Sequence, residues 1–185
     1  MIRVIGGMFC GRKLKAPKGL TTRPVMARVR EALFNILGDI DGLRVLDLFA
    51  GTGAVGIEAL SRGAVSAVFV ESASLQCTVI RENLRIVGVE AEVIRSKVEK
   101  ILKTFGAKQR AFDMIFADPP YEKDLGMKAL QAVCGMNLLA ENGIMALTVR
   151  KTEEFPKEVY SCRQIFDRRY GDTRLVIYTQ HDIEQ

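Results

Sequence analysis

Val45-Leu46-Asp47-Leu48-Phe49-Ala50-Gly51-Thr52-Gly53 is the stretch on which the fold turns. A short apolar run with a single acid gives way to small, glycine-punctuated residues, and a helical stretch from Ala54 to Arg62 follows, stopped by Gly63. Strand, glycine turn and helix in that order open a doubly wound α/β domain, where small residues let a ligand approach the backbone. Alone, Gly-x-Gly is a weak signal. Here a second strand, Ala67 to Glu71, ends in an acid 24 positions after Asp47, close to the spacing at which a carboxylate meets ribose hydroxyls. The turn is too short for a Walker loop and no Gly-Lys-Ser/Thr follows, which disfavours nucleotide triphosphate hydrolysis.

Downstream the same alternation continues. Leu75 to Val87 predicts a helix with Val79, Ile80, Leu84 and Val87 as its apolar stripe; Ala91 to Ile94 predicts a strand, and Val98, Ile101 and Leu102 a helix. Ser96, Lys97 and Val98 fall in the loop that borders the base of a bound nucleotide. The run Phe112 to Ala117 then ends in Asp118-Pro119-Pro120-Tyr121. Two successive prolines do not fit a central strand, so the chain leaves the sheet here, at the carboxyl edge where such sheets bind ligands. One reading is a plain Pro-Pro-Tyr turn. The other is chemical. An exocyclic amine on a nucleobase is a poor nucleophile because its lone pair is delocalised into the ring. A carboxylate and a fixed backbone carbonyl accepting its two N–H groups let the nitrogen become pyramidal, and an aromatic neighbour stacks on the base. Leu125 to Met136 predicts a helix and Gly143 to Val149 a buried strand. Val159 to Phe166, the turn Tyr170-Gly171-Asp172 and Leu175 to Thr179 predict a closing hairpin.

Upstream, Ile2 to Leu14 alternates apolar and basic residues around Gly6-Gly7 and Gly11, a ribbon outside the main sheet. Thr21-Thr22-Arg23-Pro24 predicts a helix start, and Val25, Val29, Ala32, Leu33, Ile36 and Leu37 recur at helical spacing up to Gly38. Residues 1–35 hold eight basic residues (Arg3, Arg12, Lys13, Lys15, Lys18, Arg23, Arg28 and Arg30) against one acid, Glu31. The rest of the chain is slightly acidic although the whole carries +5, so the excess positive charge is N-terminal, the footprint of a phosphate-binding arm. With 185 residues, 48% hydrophobic and 26% charged, the chain reads as one globular catalytic domain with an extension, not a disordered or membrane protein. The expected compartment is the cytoplasm, since neither a membrane span nor the apolar core of a signal peptide is evident. Cys10, Cys77, Cys134 and Cys162 lie far apart with no Cys-x-x-Cys, and His181 is the one histidine, so neither a metal site nor a disulfide framework is expected.

The residues from Val45 to Gly53 resemble the first motif of S-adenosylmethionine-dependent methyltransferases, and Asp118-Pro119-Pro120-Tyr121 resembles the signature of those that methylate amines. More narrowly, Arg3-Val4-Ile5-Gly6-Gly7, Gly11-Arg12-Lys13-Leu14, Thr22-Arg23-Pro24 and the run from Arg28 to Asn35 resemble the bacterial RsmD-type 16S rRNA guanine-N2 methyltransferases. Gly56, the run from Glu58 to Ala64 and Arg169-Tyr170-Gly171-Asp172-Thr173 extend the match over nearly the whole chain.

The resemblance implies a Rossmann-like fold: α/β, a mostly parallel seven-stranded sheet with a closing antiparallel hairpin, and a small basic N-terminal extension. Residues 1–38 would form an RNA-binding arm and residues 39–185 the catalytic domain. It implies S-adenosyl-L-methionine as cofactor, with Asp47, Phe49, Ala50, Gly51, Thr52 and Gly53 at its methionine end. Glu71 and Ser72 would meet the ribose, Lys97 and Val98 the adenine, and Asp118 would border cofactor and substrate. Asp118 and the carbonyl of Pro119 would hold the guanine amine, with Pro120 stiffening the turn and Tyr121 stacking on a flipped base. Arg3, Arg12, Lys13, Lys15, Arg23 and Arg28 would contact RNA, with Arg23 pairing alternatively with the cofactor carboxylate. The implied partner is 16S ribosomal RNA, free or within a small-subunit assembly particle, acted on by a monomer without a metal. The chain departs from the family pattern in having Ser96-Lys97-Val98 where an acid or amide often meets the adenine, and in lacking a glutamate after Val149. Two other readings stay open: a DNA adenine or cytosine amino-methyltransferase, and a non-catalytic ribosome-assembly factor that binds RNA.

Overall fold

Alternating apolar strands and amphipathic helices sort into three layers in the computed structural model, which describes residues 2–17, 24–120 and 124–180. In chain order the elements are β1 (Ile2–Arg3), β2 (Lys13–Leu14), α1 (Pro24–Leu37), β3 (Arg44–Leu48), α2 (Ala54–Ser61), β4 (Ser66–Glu71) and α3 (Ser74–Val87). There follow β5 (Glu92–Arg95), α4 (Val98–Ala107), β6 (Phe112–Ala117), α5 (Leu125–Gly135), β7 (Leu139–Arg150), β8 (Glu158–Val159), β9 (Cys162–Tyr170) and β10 (Thr173–Gln180).

The main sheet has the order β5-β4-β3-β6-β7-β10-β9-β8. Strands β5 to β7 are parallel neighbours, while β10 runs antiparallel to both β7 and β9. The expected seven strands and closing hairpin are therefore present, extended at one edge by the two-residue β8. The N-terminal ribbon forms its own two-stranded sheet, with Ile2 opposite Leu14. Strand β7 starts earlier than the expected Gly143. Its pairing with β6 jumps from Phe112↔Leu139 to Met114↔Ile144, so the turn-like Glu141-Asn142-Gly143 is an irregularity within one long strand.

Side-chain parity divides the core into two layers. Leu46 and Leu48 of β3 face Val98, Leu102 and Phe105 of α4 and Leu130 and Val133 of α5. On the other face, Val45 shares a buried layer with Val29, Leu33 and Phe34 of α1, Ile57 of α2 and Ile80 and Leu84 of α3. Burying such side chains contributes about 1.5–3 kcal/mol each, which is why α1, basic as its segment is, stays on the sheet. The strand order fixes the location of any ligand. From β3 the chain moves outward to β4 and β5, then crosses back to lay β6 against the other side of β3. Loops after β3 and β6 thus diverge from adjacent strand ends, and the crevice between them is the ligand position of an open α/β sheet.

Candidate active site

Leu48 pairs with Ala117, so Phe49 and Asp118 leave the sheet side by side. The loop after β3 turns sharply: Phe49 has φ 56°, Gly51 φ 56° and Gly53 φ 75°. A phenylalanine in the left-handed region is strained, and strain of this kind persists where the surroundings over-determine it. The surroundings here are Ala50, whose N–H donates to the Val70 carbonyl at 3.1 Å, and Gly53, whose N–H donates to the Ala50 carbonyl at 2.7 Å.

Two carboxylates shape this loop from within. Asp47, only 2% exposed, accepts the Gly56 N–H on Oδ2 at 3.0 Å, tying β3 to the first turn of α2. Burial pushes its carboxyl up to about 8; the Gly56 N–H opposes the rise, while the nearby charges of Asp118 and Glu71 add to it. Glu71, at the end of β4, accepts the Gly51 N–H at 3.0 Å on Oε2, and on Oε1 the Ala73 N–H at 2.9 Å and the Ser72 hydroxyl at 3.3 Å. The charges of Asp118 and Glu71 thus act on Asp47 beside a glycine loop, an electrostatic setting that favours a cationic ligand. The small residues of the loop and the oriented Glu71 also fit the amino-acid and ribose parts of S-adenosylmethionine.

Next to them, the Thr148 hydroxyl donates to Asp118 Oδ1. Thr148 is fully buried on β7, while Asp118 is half-buried, Pro119 buried and Pro120 exposed. A cavity of about 170 Å³ opens beside them, lined by Pro119, Pro120, Leu125, Gly126, Thr148, Arg150 and Glu153 among others. Tyr121 and Arg23 lie outside the described residues. Lys97 and Val98 begin α4; the Lys97 side chain is exposed, whereas that of Val98 is 6% exposed and packs in the core beside Leu102. The loop before them is fastened to β4 by the Ser96 N–H, which donates to the Glu71 carbonyl at 3.0 Å.

Cys77 and Cys134 are not activated as nucleophiles. Cys77 is buried at the start of α3 and burial pushes its thiol up. Cys134 is buried in the core; its hydrogen bond with Cys162 raises its thiol pKa, with burial adding to the rise. Among the described residues no group of His, Cys, Asp and Glu side chains is arranged to hold a metal. No helix among them is long and apolar enough to cross a membrane.

The basic arm is docked by its backbone. Ile5 and Gly6 donate their N–H groups to Glu58 of α2 at 2.7 and 2.8 Å, and Phe9 donates to the Ser61 hydroxyl at 2.8 Å. That hydroxyl donates in turn to the Gly6 carbonyl at 2.6 Å. Gly7, at φ 75°, passes so close to α2 that a Cβ there would lie 1.8 Å from the Ser61 carbonyl oxygen. Glu58 is fully buried and its charge is met by Arg62 at 2.9 Å and Arg30 at 3.8 Å. Burial of Arg30 lowers its guanidinium pKa, with Glu58 opposing the shift, and its Nη2 donates to the Arg3 carbonyl at 2.6 Å. Farther along, buried Asn83 of α3 accepts the Lys15 N–H at 2.7 Å and donates to the Lys15 carbonyl at 3.1 Å and the Thr52 carbonyl at 2.9 Å. The arm and the glycine loop therefore share one side chain. Arg3, Arg12, Lys13, Lys15 and Arg28 keep exposed side chains, with Lys15 paired to Glu82 at 3.0 Å.

Glu58, Ser61, Asn83, Arg30 and Thr148 were not marked as site residues by the sequence. One signal pointed at Asn83: Ile80, Asn83, Leu84 and Val87 share one helical face, so a polar residue sits on an apolar stripe. Glu58 carries a similar sign, an acid between Ile57 and Ala59 in an otherwise apolar helix.

An open sheet with a glycine loop and an Asp-Pro-Pro turn at its switch point defines a Rossmann-like protein of the S-adenosylmethionine-dependent methyltransferase class. Within that class, the profile of the family described as Conserved hypothetical protein 95 matches residues 2–179, and the chain belongs to this family. Its relative YlbH of Bacillus subtilis (strain 168) is 36% identical over 180 residues, spanning 96% of this chain and 98% of YlbH. Ribosomal RNA small subunit methyltransferase D of Escherichia coli (strain K12) is 37% identical over 147 residues, spanning 78% of this chain and 70% of that protein. The solved structure of yhhF from Escherichia coli superposes with a TM-score of 0.85 at 30% identity, covering 97% of this chain and 98% of that one.

Proposed function

We propose that this protein methylates the exocyclic N2 amine of a guanine in 16S ribosomal RNA, with S-adenosyl-L-methionine as methyl donor, in the cytoplasm and as a monomer. The observation that carries the reading is the pairing of Leu48 with Ala117, which sets the glycine loop after β3 beside Asp118 at the end of β6. The small-subunit methyltransferase relatives support ribosomal RNA as the substrate class.

When bound, the cofactor supplies an electrophilic methyl group on a sulfonium. Asp47 and Glu71 hold the loop from Phe49 to Gly53 in shape through the N–H groups of Gly56 and Gly51. The carboxylates of Glu71 and Asp118 favour the positive charge of the donor. Glu71 and Ser72 would hold the ribose, and Lys97 and the backbone of Val98 the adenine. Asp118 and the Pro119 carbonyl would accept the two N–H groups of the amine and leave its lone pair free to react, and Tyr121 would stack on the base. Placing two reactants in line is worth about 7–11 kcal/mol, and no covalent enzyme intermediate is needed. Asp118 acts as an acceptor more than as a strong base, because the amine becomes acidic only once methylated.

A guanine amine paired in a duplex is out of reach, so the target is unpaired or flipped out. Residues 1–38 serve as the RNA-binding arm, with Arg3, Arg12, Lys13, Lys15, Arg23 and Arg28 toward the backbone phosphates, and residues 39–185 as the catalytic domain. The test is incubation of purified protein with methyl-labelled S-adenosylmethionine and small-subunit RNA lacking the modification, both naked and within particles. Label in the RNA is expected; its absence from both substrates would overturn the reading.

A further inference from the structure

The geometry points to Thr148 as the positioning residue for the amine acceptor, an inference that rests on the function proposed above. Asp118 is the first residue beyond β6, and the terminal torsion of an aspartate is broad, so the strand alone does not set the plane of its carboxylate. Amine recognition depends on that plane, because the acceptor lone pairs must meet an N–H whose position is dictated by the methyl donor. The Thr148 hydroxyl donates to Asp118 Oδ1 and thereby sets the rotation of the group.

Thr148 is well placed to do this. It stands in β7 between two partners, with its neighbour Leu147 paired to Ala117 of β6 and Thr148 itself paired to Leu175 of β10. A β-branched residue paired with β10 in a fully buried position has little torsional freedom, so its hydroxyl points where the sheet puts it. Neither strand formation nor packing requires that hydroxyl, since valine has the same shape and equal preference for a strand. A buried hydroxyl is also costly unless it is bonded, and here its partner is the carboxylate. The donor is neutral as well. A lysine or arginine in its place would orient the carboxylate equally well but would add a positive charge to a crevice where Glu71 and Asp118 favour a cationic donor.

Steady-state kinetics with both substrates varied, on Thr148→Val and Thr148→Ser, test this. Loss of a hydrogen bond to a charged group predicts that Thr148→Val lowers kcat by about tenfold or more. The KM for S-adenosylmethionine and the calorimetric affinity for it should change by less than about twofold, since the hydroxyl is bonded to the acceptor carboxylate. Thr148→Ser, which keeps the hydroxyl, should recover kcat to within about threefold of wild type. Wild-type kcat in Thr148→Val would overturn the inference while leaving the proposed function standing. So would a loss of cofactor binding in step with kcat, or a failure of serine to rescue, either of which marks a packing role. Wild-type protein that fails to label RNA removes the proposed function itself, an outcome distinct from all of these.

Discussion

The crevice and the N-terminal arm are both fastened to α2 and α3, but by opposite means. In the crevice, side chains do the holding: Glu71 accepts a backbone N–H group from the glycine loop, and Asp47 accepts one from the first turn of α2. In the arm the main chain is held instead. Ile5, Gly6, Phe9 and Lys15 are bonded through backbone N–H groups to Glu58, Ser61 and Asn83, and the side chains of Arg3, Arg12 and Lys13 are left exposed. The difference matches the ligands each region would take. A small cationic cofactor needs buried acceptors fixed in advance, whereas a polyanion needs exposed charge displayed on a backbone that does not give way.

The comparison breaks most severely at Glu58. Glu58→Ala leaves Arg30 buried without its counter-charge and removes the acceptor for two N–H groups of the arm. Loss of about 3–5 kcal/mol in urea unfolding is expected, together with a weaker grip on RNA; unchanged stability would mean that the arm is not anchored this way. Next in size is charge reversal at Arg12 and Lys13. The apparent KM for RNA should rise by about tenfold and its salt dependence become shallower, with the KM for S-adenosylmethionine unaffected. An unchanged RNA KM would make the arm a scaffold.

The smallest effect sharpens the other side. Burial holds the Asp47 carboxyl protonated up to about 8 in the native state, against an ordinary value of 3.8. The native state therefore binds more protons than the unfolded chain across that interval, and Asp47 makes ligand-free stability fall as pH rises through it. Asp47→Asn removes this dependence. Thermal melts should show ligand-free Asp47→Asn gaining on wild type by a few degrees at pH 8, and less at pH 5. Equal curves at both pH values would show that Asp47 is not held protonated.

What was legible in the sequence follows from how local each signal is. The glycine loop and the Asp118 turn are marked by Gly and Pro, whose backbone constraints act within a few residues, so both were readable. The acceptor for the arm was not, because Ile5 and Glu58 stand 53 positions apart and only the packing of α2 brings them together. Thr148 was hidden for the same reason: 30 positions separate it from Asp118, and inside an apolar strand it reads as an ordinary β-branched residue. At Val98 the loop position was legible, while the inward direction of its side chain depended on α4 packing against the sheet. The start of β7 was obscured because Asn142 and Gly143 carry turn chemistry inside a continuous strand.

The central claim is that Asp118 presents a guanine amine to a methyl group held against the β3 loop. It is tested most directly by nucleoside mass spectrometry of 16S RNA after reaction with S-adenosylmethionine, comparing wild type with Asp118→Ala. The account predicts N2-methylguanosine with wild-type protein, and a rate lower by about a hundredfold or more with Asp118→Ala despite retained cofactor binding. Methylation at another atom, or a wild-type rate from Asp118→Ala, would contradict it.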